Sequence, residues 1–334
     1  MYKQENFKED FNQKWDDYIH QLKIYSPYHQ SWLLNFHLKS DRSKNSSFVF
    51  LDGAKCLAVV PLAIYKNTIS FGGSHCPSPI VDSKLKESLR RKIFKEIFNT
   101  INIIMEKYNL KEYYFSHQTF QTRNSKNELT LKNFFELMSF SNDTYIYNNL
   151  IIDLTKTKKN LENDLSKYHR KNIKSSQNKL TVKVIDHTLN SKKLDNYFDE
   201  FRKLHIKSAG RETRTIESWE IMKNCVKKKN AHLFVAKNKI KNISFLFCGK
   251  YDVFSFGWTQ VNDDDFEKDF MPRHYLEWSA ILFYKKIGLK YYNIGERFYP
   301  NSSGSISDKQ LNISYFKEKY GAGVYPKIHY TKKV

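Results

Sequence analysis

Arg211 and Arg214 lie on the turn that closes LHIKSAGRETR, Leu204 to Arg214. Guanidinium forks match the paired oxygens of phosphates and carboxylates, so two of them beside Gly210 suit an anionic ligand. Glu212, Glu217 and Glu220 offer the alternative of plain ion pairs. Lys167, Arg170, Lys171 and Lys174 recur at i, i+3, i+4 and i+7, one face of a helix, with His169 among them. Such a stripe can engage a few phosphates or simply stay in water. Glu296 follows the strand-like YYNIG, where a carboxylate could orient an amine or take its proton, unless the adjacent Arg297 claims it. His205 and His274 have no metal-ligand partners at useful spacing. Packing or hydrogen bonding suits both, and His274, just before Tyr275, has the better claim to a site. Trp258, Tyr275, Trp278 and Tyr315 read as core or cleft wall rather than as a base-stacking platform. The sequence shows no Ser-His-Asp order, Walker loop or dinucleotide fingerprint.

Elements that could hold these residues occur twice. Phe48 to Gly73 and Leu233 to Trp258 both run strand, polar turn, strand, polar turn, strand. The first turns are Asp52-Gly53 and Asn238-Lys239; the second are Lys66-Asn67 and Tyr251-Asp252. Both segments reach Ser-Phe-Gly, at Ser70-Phe71-Gly72 and Ser255-Phe256-Gly257. Downstream, MEKYNLKEYYF (Met105 to Phe115) pairs with YKKIGLKYYNI (Tyr284 to Ile294), a helix that ends at Asn109 or Gly288 before an apolar strand. The Leu-Lys pairs at 110-111 and 289-290 are offset by 179 residues. In the second helix, Leu276, Ala280, Phe283 and Ile287 give a core stripe. The shared order at a near-constant offset predicts a duplicated α+β unit, divided near residue 150 into 1–150 and 151–334. Between the halves, Leu154 to Leu180 reads as one long helix with Leu161, Leu165 and Tyr168 on its apolar edge.

The 334 residues suffice for two cores, and 16% aromatic content excludes a disordered chain. The formal charge of +21 fits a phosphate-bearing partner: tRNA, a nucleotide cofactor, a lipid-linked precursor or an anionic membrane surface. Cys56, Cys76, Cys225 and Cys248 form no CxxC pair or zinc pattern, so the expected compartment is the reducing cytoplasm, and no metal is expected. The N-terminus is too polar for a signal peptide, and no apolar run reaches the ~20 residues needed to span a bilayer. Membrane contact would be peripheral, at the inner face.

DLSKYHRKNIKSSQ with the strand TVKVI, LHIKSAGRETR, MPRHYLEWSAILFYKKIGLKYYNIGE and LNISYFKEKYGAG occur in that order and resemble the C-terminal half of FemABX proteins, relatives of the GNAT acyltransferases. The resemblance is close over 150–325 and weaker before it, where SPYHQSWLLNF and the loop from Gly72-Gly73 to Pro79 fit the family's first domain. It implies tandem GNAT-like domains, the second carrying most of the site. It implies acyl or aminoacyl transfer to an amine, with acyl-CoA or aminoacyl-tRNA as donor. The helical-hairpin insertion of some tRNA-dependent members and a glycine-rich pyrophosphate loop are both missing from the sequence. The limited size of the basic stripe favours CoA.

Amide formation from an activated carbonyl needs an aimed amine, donors for the developing oxyanion and a base. The resemblance assigns Lys317, of Tyr315-Phe316-Lys317, to donor phosphate or transition-state contacts; a solvated helix lysine beside Glu318 and Lys319 is the alternative. The expected catalytic pair is Lys317 and Glu296. Arg211, Arg214, His274, Trp278, Tyr315 and Phe316 are expected at the substrate, and Lys167, His169, Arg170 and Lys171 at the donor. The expected function is N-acyl transfer to a cell-envelope glycan or its precursor. Its rivals are aminoacyl-tRNA-dependent transfer to a peptidoglycan precursor, and a basic tRNA- or lipid-carrier-binding protein without catalysis.

Overall fold

The computed structural model describes residues 3–7, 9–23, 26–118, 136–300 and 306–333. The chain divides into two compact units. Unit 1 comprises Met1–Tyr147 and Pro326–Val334, and unit 2 comprises Asn148–Tyr325. The strand that closes the chain therefore belongs to unit 1, whereas a cut at 150 assigns it to the second half.

In unit 1, β1 (Lys3–Phe7), α1 (Gln13–Gln21) and α2 (Ser31–Asp41) lead into β2 (Lys44–Asn45), β3 (Ser47–Asp52), β4 (Lys55–Val60), β5 (Ala63–Tyr65), β6 (Thr68–Ile69), β7 (Cys76–Pro77) and β8 (Ile80–Val81). The long α3 (Glu87–Tyr108) and β9 (Glu112–Gln118) follow. β10 (Asp143–Asp153) carries the chain out of the unit. The expected three-stranded meander is broken here. β3 and β4 lie in a sheet ordered β1-β3-β4-β8, while β5 and β6 pair with each other, β2 and β9. Pro61 sits at the break, where a residue without an N–H cannot continue a ladder. The core runs through Trp15, Phe48, Phe71, Phe94, Phe98, Tyr113 and Phe115.

Unit 2 continues with α4 (Lys158–Asp164), α5 (Lys167–Gln177), β11 (Thr181–Ile185), α6 (Ser191–Ala209), α7 (Ile216–Lys227), β12 (Ala231–Lys237), β13 (Asn242–Tyr251) and β14 (Phe254–Asn262). Then come α8 (Glu267–Phe270), α9 (Pro272–Lys286), β15 (Tyr291–Arg297) and α10 (Asp308–Glu318), followed by β16 (Gly323–Lys333), which belongs to unit 1 from Pro326 on. Its strands are ordered β11-β12-β13-β14-β15-β10, antiparallel except for the parallel pair β14–β15. The single long helix expected over 154–180 is two helices. Leu165 is extended, and the Ser166 side chain accepts the His169 N–H to start α5 afresh, so a strong N-cap overrides the helical run. The buried face of α9 is rotated from the expected stripe: Leu276, Glu277, Ala280, Ile281 and Tyr284 are buried, while Ile287 is the exposed C-cap.

The two units repeat one junction closely. Asn109 and Gly288 both adopt left-handed backbone after their helices, with φ of 50° and 86°. Leu110 N–H then reaches Met105 O at 2.8 Å, and Leu289 N–H reaches Tyr284 O at 3.0 Å. Next, Lys111 N–H donates to Asn67 O and Lys290 N–H to Val253 O, each at 2.8 Å. β6 then runs parallel to β9 and β14 parallel to β15. Ser255-Phe256-Gly257 lies within β14, and Ser70-Phe71-Gly72 directly follows the shorter β6. The α+β duplication read from the sequence is thus present in its hydrogen bonds.

Candidate active site

β14 and β15 pair only from Phe254 to Phe256 against Tyr291 to Asn293. Beyond that, β14 continues along β13 to Asn262, and β15 continues along β10 to Arg297. A register shift on β10 between Leu150 and Ile151, opposite Gly295 and Asn293, marks the divergence. The facing edges of two parallel strands are thereby left open. A cavity of about 750 Å³ occupies the gap, a size that suits a small-molecule ligand.

Three elements furnish most of its walls. β14 supplies the run from Gly257 to Asn262. α9 supplies Arg273 and Glu277, one helical turn apart. α10 supplies Lys309, Asn312, Ile313, Phe316 and Lys317, the i, i+3, i+4, i+7, i+8 face of one helix. A capping box between Ser307 and Gln310 starts that helix and fixes the face.

Glu277 and Lys317 are ionisable groups that line this cavity and whose pKa values burial shifts. The Glu277 carboxylate is buried and accepts the Tyr292 hydroxyl proton at Oε1. Burial pushes its pKa above the ordinary glutamate value, against the Tyr292 hydrogen bond and the Lys317 charge. Burial likewise pulls the Lys317 ammonium below the usual lysine range, opposed by Glu277 and Glu296. A base and a cation, both drawn toward neutrality, face one cavity. Gly295 makes room for the cation. Its φ is +140°, and a Cβ there would lie 2.4 Å from Lys317 Nζ. At Gly257 a Cβ would lie 3.0 Å from Tyr292 Oη.

The sequence-derived residues divide into several groups. Lys317 and Phe316 line the cavity, and half-buried Glu296 acts on Lys317. Arg297 turns instead to Glu318, with Nε to Oε2 at 3.0 Å. Arg214 stands behind the wall: Nη2 donates to Thr259 Oγ1 at 3.1 Å and Nη1 to His205 Nε2 at 2.6 Å. Burial holds Arg214 down to about 10 and, with Arg214 beside it, His205 down to about 4. Arg211 is exposed and away from the cavity. His274 and His169 are buried together, ring centres 4.8 Å apart, and pack against Phe316 and Tyr320. Burial holds them down to about 3 and about 4, so both are neutral packing groups beneath α10. Trp278 is core, and Tyr315 is half-exposed beneath Lys319. Of the basic stripe, Lys167, Lys171 and Lys174 are exposed, whereas Arg170 donates to the carbonyls of Glu162 and Asn163 at the end of α4.

The sequence reading misses Glu277, Tyr292 and Arg273. Glu277 was the findable one: it is an acid inside YLEWSAILFY, an aromatic helix run where a surface carboxylate is out of place.

No known family pattern matches this sequence, and no curated protein does. Solved structures do. FemX superposes with a TM-score of 0.64 at 12% identity, over 98% of this chain and 97% of FemX. L-PGS from Bacillus licheniformis gives 0.64 at 15%, over 98% and 93%. A tandem GNAT protein from the clavulanic acid biosynthesis pathway gives 0.58 at 9%, over 99% and 98%. The chain has the FemX-like, tandem GNAT fold.

Proposed function

We propose that this protein is an N-acyltransferase that moves an acyl group from an activated donor to an amine on a cell-envelope glycan or its precursor. The observation that carries the reading is the pairing of Glu277 and Lys317 across the open β14–β15 edges. In the reaction, the amine attacks the donor carbonyl and surrenders its proton to the Glu277 carboxylate. The Lys317 ammonium faces the oxygen on which negative charge grows, and the donor's thiolate leaves. Glu277 takes the role of base expected of Glu296, and Glu296 steadies Lys317.

Acyl-CoA is the preferred donor. The exposed strand edges can pair with an extended, amide-bearing chain, and Arg273 and Lys309 stand ready for its phosphates. Aminoacyl-tRNA is the second reading, favoured by the likeness to FemX and by the exposed Lys167, Lys171 and Lys174. Among the described residues no helix is long and apolar enough to cross a membrane. We place the protein in the cytoplasm, with peripheral contact at the inner membrane face where the acceptor is lipid-linked.

Calorimetry with acetyl-CoA and with charged tRNA, each at two salt concentrations, separates the donors. Micromolar CoA binding with a shallow salt slope supports the first reading. Steeply salt-dependent tRNA binding without CoA binding overturns it. A protein that binds either ligand but transfers nothing to amino sugars is the non-catalytic carrier instead.

A further inference from the structure

We infer that Lys317 is itself an acylation site: when an acyl thioester is bound and no acceptor amine is present, Lys317 Nζ takes the acyl group and the enzyme arrests itself. The inference rests on the reading of this cavity as the donor's site.

The cavity holds an amine that no other group of the protein engages. Lys317 lines it. Among the described residues Lys317 Nζ makes no hydrogen bond and no ion pair, and Glu277 and Glu296 act on it only across space. Other half-buried lysines of unit 2 are engaged directly. Lys223 bridges Asp195 and Glu220, and Lys285 donates to the carbonyls of Leu154 and Lys156. An ammonium withdrawn from water without such partners loses its proton more readily and becomes a neutral amine. That is the same functional group as the acceptor.

The fold also aims this amine. Nζ, Cε and Cδ of Lys317 all lie within 3.3 Å of where a Gly295 Cβ would stand. The end of the side chain therefore lies along the bare backbone of β15. Gly295 is two residues past Asn293, the last residue of β15 that pairs with β14, so the amine sits where the two edges open. In the proposed reaction the donor carbonyl lies there with its oxygen toward Nζ, and its carbon is one bond further on. Lys309 supplies a comparison within the same cavity. It lies on the same face of α10, two turns nearer the N-terminus, and is exposed.

The step balances. The lone pair of neutral Nζ attacks the carbonyl carbon, the C–S bond breaks, and the electron pair leaves on sulfur. The proton shed by Nζ passes to the Glu277 carboxylate and then to the thiolate. The products are an acyl-lysine amide and a thiol. The amide carries no charge and cannot become an ammonium, so the cation that faces the growing oxyanion is gone. A bound acceptor amine competes for the same carbonyl and protects the lysine. Glu277 of α9 and Glu296 of β15 favour the charged form, while Arg273, Lys309 and Asp264 line the same cavity. Burial outweighs the two carboxylates and lowers the Lys317 pKa, so the neutral amine grows as pH rises through that lowered value.

The test incubates the full chain with acetyl-CoA alone. Acetylation is read lysine by lysine from peptide masses, and transfer to glucosamine is assayed on the same samples. Lys317 should be labelled roughly tenfold or more faster than Lys309, as expected of an aimed amine against a mobile one. Residual activity should fall in step with Lys317 occupancy. Labelling should rise with pH where turnover declines, and glucosamine added to the incubation should slow it. Lys317→Arg, which keeps the charge without the reactive amine, should hold whatever activity it starts with throughout the incubation. Acetyl on Lys309 and other exposed lysines ahead of Lys317 overturns the inference. So does a chain that stays fully active while Lys317 is occupied. A parent that transfers to glucosamine and never modifies Lys317 removes the self-acylation and leaves the proposed function standing. A parent that neither binds acetyl-CoA nor transfers from it removes both.

Discussion

At one place in the repeat, unit 1 carries Phe98 against Tyr113 and unit 2 carries Glu277 against Tyr292. In unit 1 the two rings pack 6.0 Å apart, and the Tyr113 hydroxyl turns away to the Phe140 carbonyl. In unit 2 the hydroxyl points at a carboxylate. The strands differ as well. β6 is two residues long and ends as soon as it has met β9, so its edge is short, whereas β14 runs six residues past its last parallel pair. The backbone junction is shared, but one copy fills its interior with apolar surface and the other spends part of it on a carboxylate and an ammonium. On the proposed reading, stability comes from the junction and the core, and chemistry from what replaces the core.

The sharpest test of that contrast exchanges loss of activity for loss of stability. Glu277→Gln should lower kcat by about 10²–10⁴-fold with little change in Tm. Phe98→Ala should cost about 3–5 kcal/mol in denaturant unfolding while the folded fraction keeps its kcat. A Glu277→Gln variant that unfolds early, with kcat per folded molecule intact, would reverse the roles of the two units. Gly295→Ala is the next largest effect. It crowds Lys317 Nζ and forces a strained φ, so turnover should fall on the order of 10²-fold through a misplaced ammonium. Recovery of activity by a double variant with a shorter side chain at 317 would show that fit, rather than charge, matters there.

The pH profile follows from the directions of the two shifts. Glu277 must be ionised, and its pKa lies above the ordinary 4.5, so activity rises with pH through that raised value. Lys317 must be protonated, and its pKa lies below 10.5, so activity falls as pH climbs through that lowered value. The expected kcat/KM profile is a bell narrower than 4.5 to 10.5, and a limb at either ordinary value would release that residue from the site. The smallest effect concerns the shared junction. Exchanging the caps, Asn109→Gly and Gly288→Asn, should change stability in opposite directions by under about 1 kcal/mol each, the first stabilising. A much larger loss in one unit would mean that the junctions are not equivalent.

Much of this was legible in the residues. Turn chemistry at Asp52-Gly53 and Asn238, and cap chemistry at Asn109 and Gly288, act within a few residues, so local sequence reports them directly. Lys317 and Phe316, singled out by their motif, do line the cavity. Glu277 shows in the sequence only as an acid out of place in an aromatic run, and phasing α9 on Leu276, Ala280, Phe283 and Ile287 hides even that. That phasing gave the face to Ile287, which caps the helix in solvent, and sent Glu277 to the surface by default. A buried carboxylate is fixed by strands far away in sequence: Tyr292 on β15 and the bare backbone of Gly257 on β14. Arg170 erred the other way. It looked like one more charge on a stripe and is spent on two helix-end carbonyls.

The closing strand has a consequence for how the chain is made. β9 of unit 1 pairs along Glu112–Gln118 with Lys327–Lys333 of β16, which follow all of unit 2 in the chain. A ribosome working from the N-terminus therefore delivers every residue of unit 2 before unit 1 can complete its sheet. Unit 2 can close first, although it is made second, and the nascent chain carries one bare edge of β9 until Lys327–Lys333 emerge. Unpaired strand edges are where growing chains find wrong partners, so the interval between those two events is when β9 is most open to one.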